Sequence, residues 1–326
     1  MLKEYLKERA SNLGFVALGF AEASALREKH TDLAGAGLPP FVPYTPCQRC
    51  DPNTWLPGAK TVIAGAWSYR ERYRTSIHSP GEGKGYFSPF AASPDYHSLV
   101  KEKLAILAKI LIDEAGHNHR AIVQVDSGPG CERMWALRAG IGWQGKNNFL
   151  IVPGHGSWVW LGLITTDICL EPDKPQISLC GDCQRCLRAC PTSAYREANS
   201  FDYQRCLAWH AANKGELSSE AKQALSKHKI IYGCDYCQLA CPYNQPHDSS
   251  EHQHPSLKEL LTLTGKEFQE QWQNTSAGWR GKNTLRRNTI LAAAREPSLQ
   301  DELEAIAAGS DCLAKLAQEV LRGLAE

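Results

Sequence analysis

Eight cysteines between Cys180 and Cys241 constrain the fold of this chain more than any other feature. The run Cys180-Gly-Asp-Cys183-Gln-Arg-Cys186-Leu-Arg-Ala-Cys190-Pro191 is followed by Cys206 and then by Cys234-Asp-Tyr-Cys237-Gln-Leu-Ala-Cys241-Pro242. C-x2-C-x2-C-x3-C-P is the spacing of bacterial ferredoxins, in which three thiolates close on one cubane and the fourth reaches a neighbouring cluster. Eight thiolates therefore predict two [4Fe-4S] clusters. The two-residue loops let Cys180, Cys183 and Cys186 wrap one cluster, and the x3-C-P step turns Cys190 away, so Cys241 completes the first set. Cys190, Cys206, Cys234 and Cys237 form the second, with Cys206 alone where a symmetric ferredoxin has another compact run. A pair of four-cysteine zinc sites is the rival reading, and a disulfide framework is the third. Two interlocked C-x3-C-P endings are the ferredoxin pattern and not that of a zinc ribbon.

A chain of 326 residues, 43% of them hydrophobic, can build two or three domains around sizeable cores. The net charge of +1 gives no global reason to bind nucleic acid, so any such contact must come from a local patch. Met1-Leu-Lys-Glu-Tyr-Leu-Lys-Glu-Arg9 reads as an amphipathic helix without the apolar centre of a signal peptide. No run approaches the roughly 18 apolar residues of a membrane span. Many cysteines without a secretion signal imply reduced thiols or metal ligands, and a cytoplasmic location is expected.

Periodicity places a helix and a strand in residues 2–20, the strand being Phe15-Val-Ala-Leu-Gly-Phe20. Pro39 to Pro57 is expected as a loop, Thr61-Val-Ile-Ala-Gly-Ala-Trp67 as a buried strand, and Ser76 to Pro94 as a long irregular segment. Leu104, Leu107, Ile110 and Leu111 recur at helical spacing within Leu99 to Ala115. Ala121-Ile-Val-Gln-Val125 reads as a strand delivering Asp126, and Cys131 to Ala139 as a helix. Asn148 to Val152 and Ser157 to Thr166 are expected to pair. This alternation predicts an α/β or α+β domain over residues 1–170. A ferredoxin-like domain follows over 171–250, and a helical tail over 251–326, with Ala-rich, Leu-rich stretches at Thr289 to Arg295 and Leu303 to Leu324.

Several residues are candidates for chemistry. Gly140-x-Gly142-x-x-Gly145 matches the dinucleotide fingerprint as a string, but it follows a helix and runs into strands, the reverse of the context that motif needs. Asp95-Tyr96-His97-Ser98-Leu99-Val100 approximates the D-x-H-x-x-G of some cobalamin proteins, with Val100 in place of glycine; a capping or hydrogen-bonded His97 is the simpler reading. Cys47 and Cys50 form a C-x2-C with no partner pair and read as incidental loop cysteines. Cys131 and Cys169 are isolated, and Cys312 reads as core in an apolar helix. Asp126 ends an apolar strand before Ser127-Gly128-Pro129, where α/β folds present ligand-binding groups. Partial burial there is expected to raise its pKa and let it hold a proton near neutrality, the alternative being a capping aspartate. Between Gln271 and Arg295 stand Arg280, Lys282, Arg286, Arg287 and Arg295 with no acid, beside Trp272 and Trp279. Such a patch suits phosphates and unpaired bases, or is a solvated helix face.

Over essentially its whole length the sequence resembles the epoxyqueuosine reductases. The residues that carry the likeness are Arg49 through Leu56-Pro57-Gly-Ala-Lys60, Asp95-Tyr-His97, Val125-Asp126-Ser-Gly-Pro129, Arg138-Ala-Gly-Ile-Gly-Trp143, Gly145-Lys-Asn147, the cysteine block, Gly278-Trp-Arg-Gly-Lys282 and Arg287-Asn288. The resemblance implies an α+β build: a nitroreductase-like cobalamin-binding domain, a ferredoxin-like domain with two [4Fe-4S] clusters, and a short HEAT-like helical tail holding the first repeat but not the rest found in longer members. It implies reduction of epoxyqueuosine to queuosine at the tRNA wobble position, with electrons passing from a low-potential donor through the clusters to cobalamin. Asp126 matches the proton donor. Arg49, Ser88, Asp126, Leu150, Leu161, Ala208, Asp235 and Tyr236 fall where the family contacts cobalamin, although Ser88 and Ala208 depart from the residues expected there. Cys47 and Cys50 flank Arg49 where the family has no cysteines. Lys214, Arg280, Lys282, Arg286 and Arg287 are the implied contacts to the anticodon stem-loop, and a monomer is expected. A reductive dehalogenase-like corrinoid enzyme and a non-catalytic electron-transfer ferredoxin are the alternative functions.

Overall fold

The computed structural model describes residues 1–26, 43–72, 80–91, 94–198, 200–245 and 254–325. Two compact units interleave along the sequence. The first comprises Met1–Arg70, Tyr96–Cys183 and Pro242–Gln245, and the second Glu71–Asp95, Gln184–Cys241 and Pro246–Glu326.

In the first unit a four-stranded antiparallel sheet runs in the order Phe15–Glu22, Thr61–Ser68, Val159–Thr166, Ala121–Gln124. Side chains alternate between its faces. On one face Val62, Ala64, Ala66 and Leu163 meet Trp135 and Ala136 of the helix Glu132–Arg138. Against the other lies the helix Tyr96–Ala115. Its Leu104 comes so near the sheet that a Cβ on Gly162 would stand 2.4 Å from Leu104 Cδ1, so glycine is required for that approach. Cover on both faces explains why Thr61 to Trp67 reads as one apolar run. The antiparallel pairing makes the fold α+β.

Four local expectations are corrected. Cys47 and Cys50 lie in a short helix, Pro46–Cys50, started by a capping box between Thr45 and Gln48 and by proline at its first position; residues 39–42 of the expected loop lie outside the described residues. Asn148 to Val152 does not pair with the strand after it. Leu150–Ile151 pairs instead with Trp143–Gln144, and Val159–Thr166 joins the main sheet. The reason is Gly142, where a Cβ would stand 2.3 Å from the Ile151 carbonyl oxygen; the glycine permits that close turn and serves chain packing. Within the expected irregular segment, Tyr86–Phe87 forms a parallel pair with Ile230–Tyr232, while 76–79 and 92–93 lie outside the described residues. Cys312 is exposed, because it opens the helix Cys312–Ala325 ahead of the buried Leu313, Leu316 and Ala317.

The second unit is mainly helical. The Lys282–Ala293 helix contributes Leu285, Ile290 and Leu291 to its apolar core, with Leu225 of the helix Ser219–Lys227 and Leu207 of Leu207–Ala212. The Leu-rich stretch over 303–324 is helical, as two helices, Gln300–Ala307 and Cys312–Ala325, broken around Gly309. Among the described residues no helix is long and apolar enough to cross a membrane.

Candidate active site

Asp126 leaves its strand at φ 52°, a left-handed conformation sparsely populated by residues other than glycine. The turn is held from behind by Gln124, whose Oε1 accepts the Gly130 N–H at 3.0 Å. The Asp126 side chain keeps 64% of its surface open. Its Oδ2 accepts the Tyr96 hydroxyl at 2.9 Å and lies 3.2 Å from His97 Nε2. Tyr96 is oriented by stacking on Trp160 at 5.2 Å and on His97 at 4.3 Å. Arg49 adds a positive charge near Asp126 and hydrogen-bonds the Cys131 sulfur.

The expected rise in the Asp126 pKa is corrected. Desolvation is the largest single influence and pushes it up, but hydrogen bonds from His97 and Tyr96, and the charges of His97 and Arg49, together outweigh it and hold the carboxyl below its ordinary value. Partners that favour the charged form decide the outcome. Asp126 is therefore ionised at neutral pH in this arrangement. Glu132 behaves oppositely: burial first, and the Asp126 charge second, push its carboxyl up to about 7. Neither Tyr96 nor Glu132 has an assigned role in the sequence reading. Their available signals were an aromatic beside His97 and an acid opening the helix after Asp126.

Leu150 is buried in the apolar cluster around Trp135, and Leu161 is partly buried against it. The remaining residues matched to cobalamin contacts lie in the second unit. Ser88 is buried, and its N–H donates to the Tyr232 carbonyl at 2.9 Å. The buried Asp235 accepts the Tyr86 hydroxyl at 2.8 Å. Tyr236 stacks on Tyr86 at 6.4 Å, with its hydroxyl 3.0 Å from His228 Nδ1. Ala208 sits in the first turn of the helix that follows Cys206.

Cys190, Cys206, Cys234 and Cys237 lie within electrostatic reach of one another in the second unit. The Ala194 N–H points at Cys190 Sγ at 3.3 Å, and the Tyr195 hydroxyl lies 3.7 Å from Cys237 Sγ. Main-chain N–H groups of Ala208 and Trp209 serve Cys206, and that of Tyr236 serves Cys234. Burial raises the Cys206 and Cys234 thiols and pushes Cys237 up to about 12. Four such thiols become thiolates together only around a compensating cation, and N–H donors aimed at sulfur are the usual setting of an iron-sulfur cluster. The donor set therefore fits one. Cys186 and Cys241 are buried in the second unit, and Cys180 and Cys183 belong to the last segment of the first unit before the chain crosses over. No disulfide joins any of the 13 cysteines. Among the described residues no three His, Cys, Asp or Glu side chains form a group able to hold a single metal ion.

The basic residues divide into two kinds. Arg287 donates to the carbonyls of His210 at 3.0 Å, Asn213 at 2.5 Å and Gly215 at 3.3 Å, and to Asn288 Oδ1. Arg280, 8% exposed, donates to the Ala212 carbonyl and lies 4.3 Å from the Trp279 ring. Arg286 donates to the Leu261 carbonyl at 3.1 Å. Lys214 is exposed and Lys282 half-buried, and both line a cavity of about 830 Å3 with Lys222 and Lys315.

Residues 49–127 match the family described as epoxyqueuosine reductase QueG, DUF1730, and residues 179–244 match the 4Fe-4S double cluster binding domain. The chain is 34% identical over 338 residues to the epoxyqueuosine reductase of Listeria monocytogenes, covering 99% of the chain and 87% of that protein. It is also 34% identical to the Bacillus subtilis enzyme, covering 99% and 86%. Among solved structures it is similar to an epoxyqueuosine reductase bound to an epoxyqueuosine-modified tRNA-Tyr stem loop, with a TM-score of 0.90, 32% identity, and coverage of 100% of the chain and 90% of that one. A Bacillus subtilis structure with its catalytic aspartate loop swung out of the active site aligns with a TM-score of 0.88 at 31% identity, over 99% and 90%. With a ferredoxin-like cluster domain fused to a larger α+β domain, the chain belongs to the epoxyqueuosine reductase family.

Proposed function

We propose that the chain reduces the epoxide of epoxyqueuosine, at the wobble position of tRNA, to the cyclopentene of queuosine. Two electrons and two protons enter, and the epoxide oxygen leaves as water. The observation that carries this reading is Asp126: a carboxylate presented on a strained turn, oriented by Tyr96 and His97, and open on its other side. An open acid with a fixed orientation suits proton delivery to a large, partly apolar ligand above it.

Arg49, Asp126, Leu150 and Leu161 of the first unit would hold cobalamin, and Ser88, Ala208, Asp235 and Tyr236 of the second are further proposed contacts. When bound there, cobalamin would supply low-potential reducing equivalents for opening the epoxide. Asp126 hands a proton to the departing oxygen, while Tyr96 and His97 keep its carboxylate aimed. In the second unit the buried thiols of Cys190, Cys206, Cys234 and Cys237 would ligate one [4Fe-4S] cluster, and Cys180, Cys183, Cys186 and Cys241 the other. On this reading residues 1–170 form the nitroreductase-like domain, 171–250 the cluster domain and 251–326 the HEAT-like tail, with 71–95 joining the second unit. Lys214 and Lys282 are the side chains best placed to meet RNA phosphates.

The test is turnover of an anticodon stem-loop carrying epoxyqueuosine, given cobalamin and a low-potential reductant. Protein purified anaerobically should carry about eight irons and bind about one corrinoid. Asp126→Asn should keep both and lose reduction; near-normal turnover by that variant overturns the assigned role.

A further inference from the structure

A second carboxyl stands beside Asp126, and the proposed reaction gives it no task. Glu132 opens the helix Glu132–Arg138, and its carboxylate accepts the main-chain N–H groups of Asp126 and of Glu132 itself. Its Oε1 is buried with no hydrogen-bond partner among the described residues. The charged groups that bear on it are Asp126, which repels a negative charge, and Arg49, which attracts one. Cys131 and Arg133 flank it in sequence, and the Cys131 thiol is itself raised by burial. An ionised carboxylate with one oxygen buried and unpaired loses hydration that two main-chain donors and one cation do not restore. A neutral carboxyl loses far less, and it removes the repulsion with Asp126. Burial, followed by the Asp126 charge, accordingly pushes Glu132 up to about 7, against the lowering effect of its N–H donors and Arg49.

The two carboxyls thus divide their roles by environment. Asp126 is aimed outward and ionised, so it has no proton of its own to give at neutral pH. We infer that Glu132 is the proton store of this site, and that it replenishes Asp126 as Asp126 protonates the departing oxygen. This inference rests on the reduction proposed above.

Proton balance is simple. As the C–O bond breaks, charge develops on oxygen; Glu132 passes its proton to the Asp126 carboxylate, Asp126 hands that proton to the oxygen, and the resulting Glu132 carboxylate takes one from solvent. No electron moves in these steps. The net transfer, from a carboxyl to an alkoxide, is downhill, so the weak proton affinity of Asp126 does not stall it. Glu132 acts through Asp126 and touches no reacting atom, which makes it a positioning residue in the proton path.

The experiment compares wild type, Glu132→Gln and Glu132→Asp as holoenzymes. The pH profile of kcat on the modified stem-loop is measured from about pH 6 to about pH 9. A second, substrate-free readout is the infrared carbonyl band of a protonated buried carboxyl. Wild type should lose rate as pH rises through the Glu132 titration. Glu132→Gln should lower kcat about tenfold or more and abolish that limb, and Glu132→Asp should restore part of it. The infrared band should fade over the same pH range in wild type, fade at lower pH in Asp126→Asn, where the repelling charge is gone, and be missing from Glu132→Gln. A purely structural role would lower kcat at every pH and leave the limb in place, and that result overturns the inference, as does a wild-type spectrum without a band that Glu132→Gln removes. Failure of the wild-type holoenzyme to reduce epoxyqueuosine overturns the functional reading instead, and the infrared band still decides whether Glu132 holds a proton.

Discussion

Asp126 in the first unit and Arg287 in the second are both charged residues that the sequence singles out for function, yet their surroundings satisfy them in opposite ways. Asp126 has one oxygen gripped by Tyr96 and His97 and most of its side chain open. Arg287 directs Nε, Nη1 and Nη2 at protein acceptors. With Arg280 and Asn288 it covers the carbonyls of His210, Ala211, Ala212 and Asn213. Those carbonyls end the helix Leu207–Ala212, whose N-cap is Cys206. A helix end leaves its last carbonyls unpaired, and cationic side chains are effective partners for them. Two arginines of the basic patch therefore brace the element that starts at Cys206, a proposed cluster ligand. Burial and the nearby Arg280 lower Arg287 to about 10, so it still carries its charge at neutral pH. Unused donors and acceptors, more than charge, mark the side chains available to a partner.

The sharpest way to break this contrast is to neutralise each side in turn. Asp126→Asn keeps the shape and removes the acid, and it should cost about 10²–10⁴ in kcat with little loss of stability; single-turnover reduction of the stem-loop reads the effect. Arg287→Ala should act on the fold first. Leaving helix-end carbonyls unpaired should cost about 2–3 kcal/mol, seen in denaturant unfolding of the cluster-loaded protein and in lower iron retention. Stability within about 0.5 kcal/mol of wild type, with RNA affinity alone reduced, would return Arg287 to the RNA surface.

Smaller effects refine the picture. Tyr96→Phe deletes a donor to the ionised form of Asp126, so that carboxyl should titrate at higher pH, observable by carboxyl NMR. Because the folded value is depressed, the stabilisation is present above the ordinary aspartate range and is lost as pH falls through the depressed value. Tyr96→Phe should make that acid loss shallower, and the open side chain limits the change to a few tenths of a kcal/mol. Lys214→Ala should leave stability unchanged and reduce the salt slope of stem-loop binding by about one phosphate contact. An unchanged slope would place Lys214 outside the RNA contact.

Much of the scaffold was legible because it is written in local periodicity. Leu104, Leu107 and Leu111 mark the long helix, which the structure starts at Tyr96. Thr61 to Trp67 marks a strand buried on both faces. The pairing of Leu150–Ile151 is not legible locally, because strand partnership depends on which segment can approach, here Trp143–Gln144 with Gly142 against the Ile151 carbonyl. Around Cys47 and Cys50, proline and polar residues suggest a loop, while the Thr45 capping box starts a helix there.

The sequence by itself determined the cysteine spacing, the family motifs and the helix and strand periods, since each depends on residues a few positions apart. Only the tertiary structure decided which acid near the turn is ionised and which basic groups remain open. Those outcomes depend on partners distant in the chain: Tyr96 lies 30 positions from Asp126, Ala212 lies 68 from Arg280, and His210 lies 77 from Arg287. A side chain's charge state and its free donors are properties of the groups folded against it, and no local pattern encodes them.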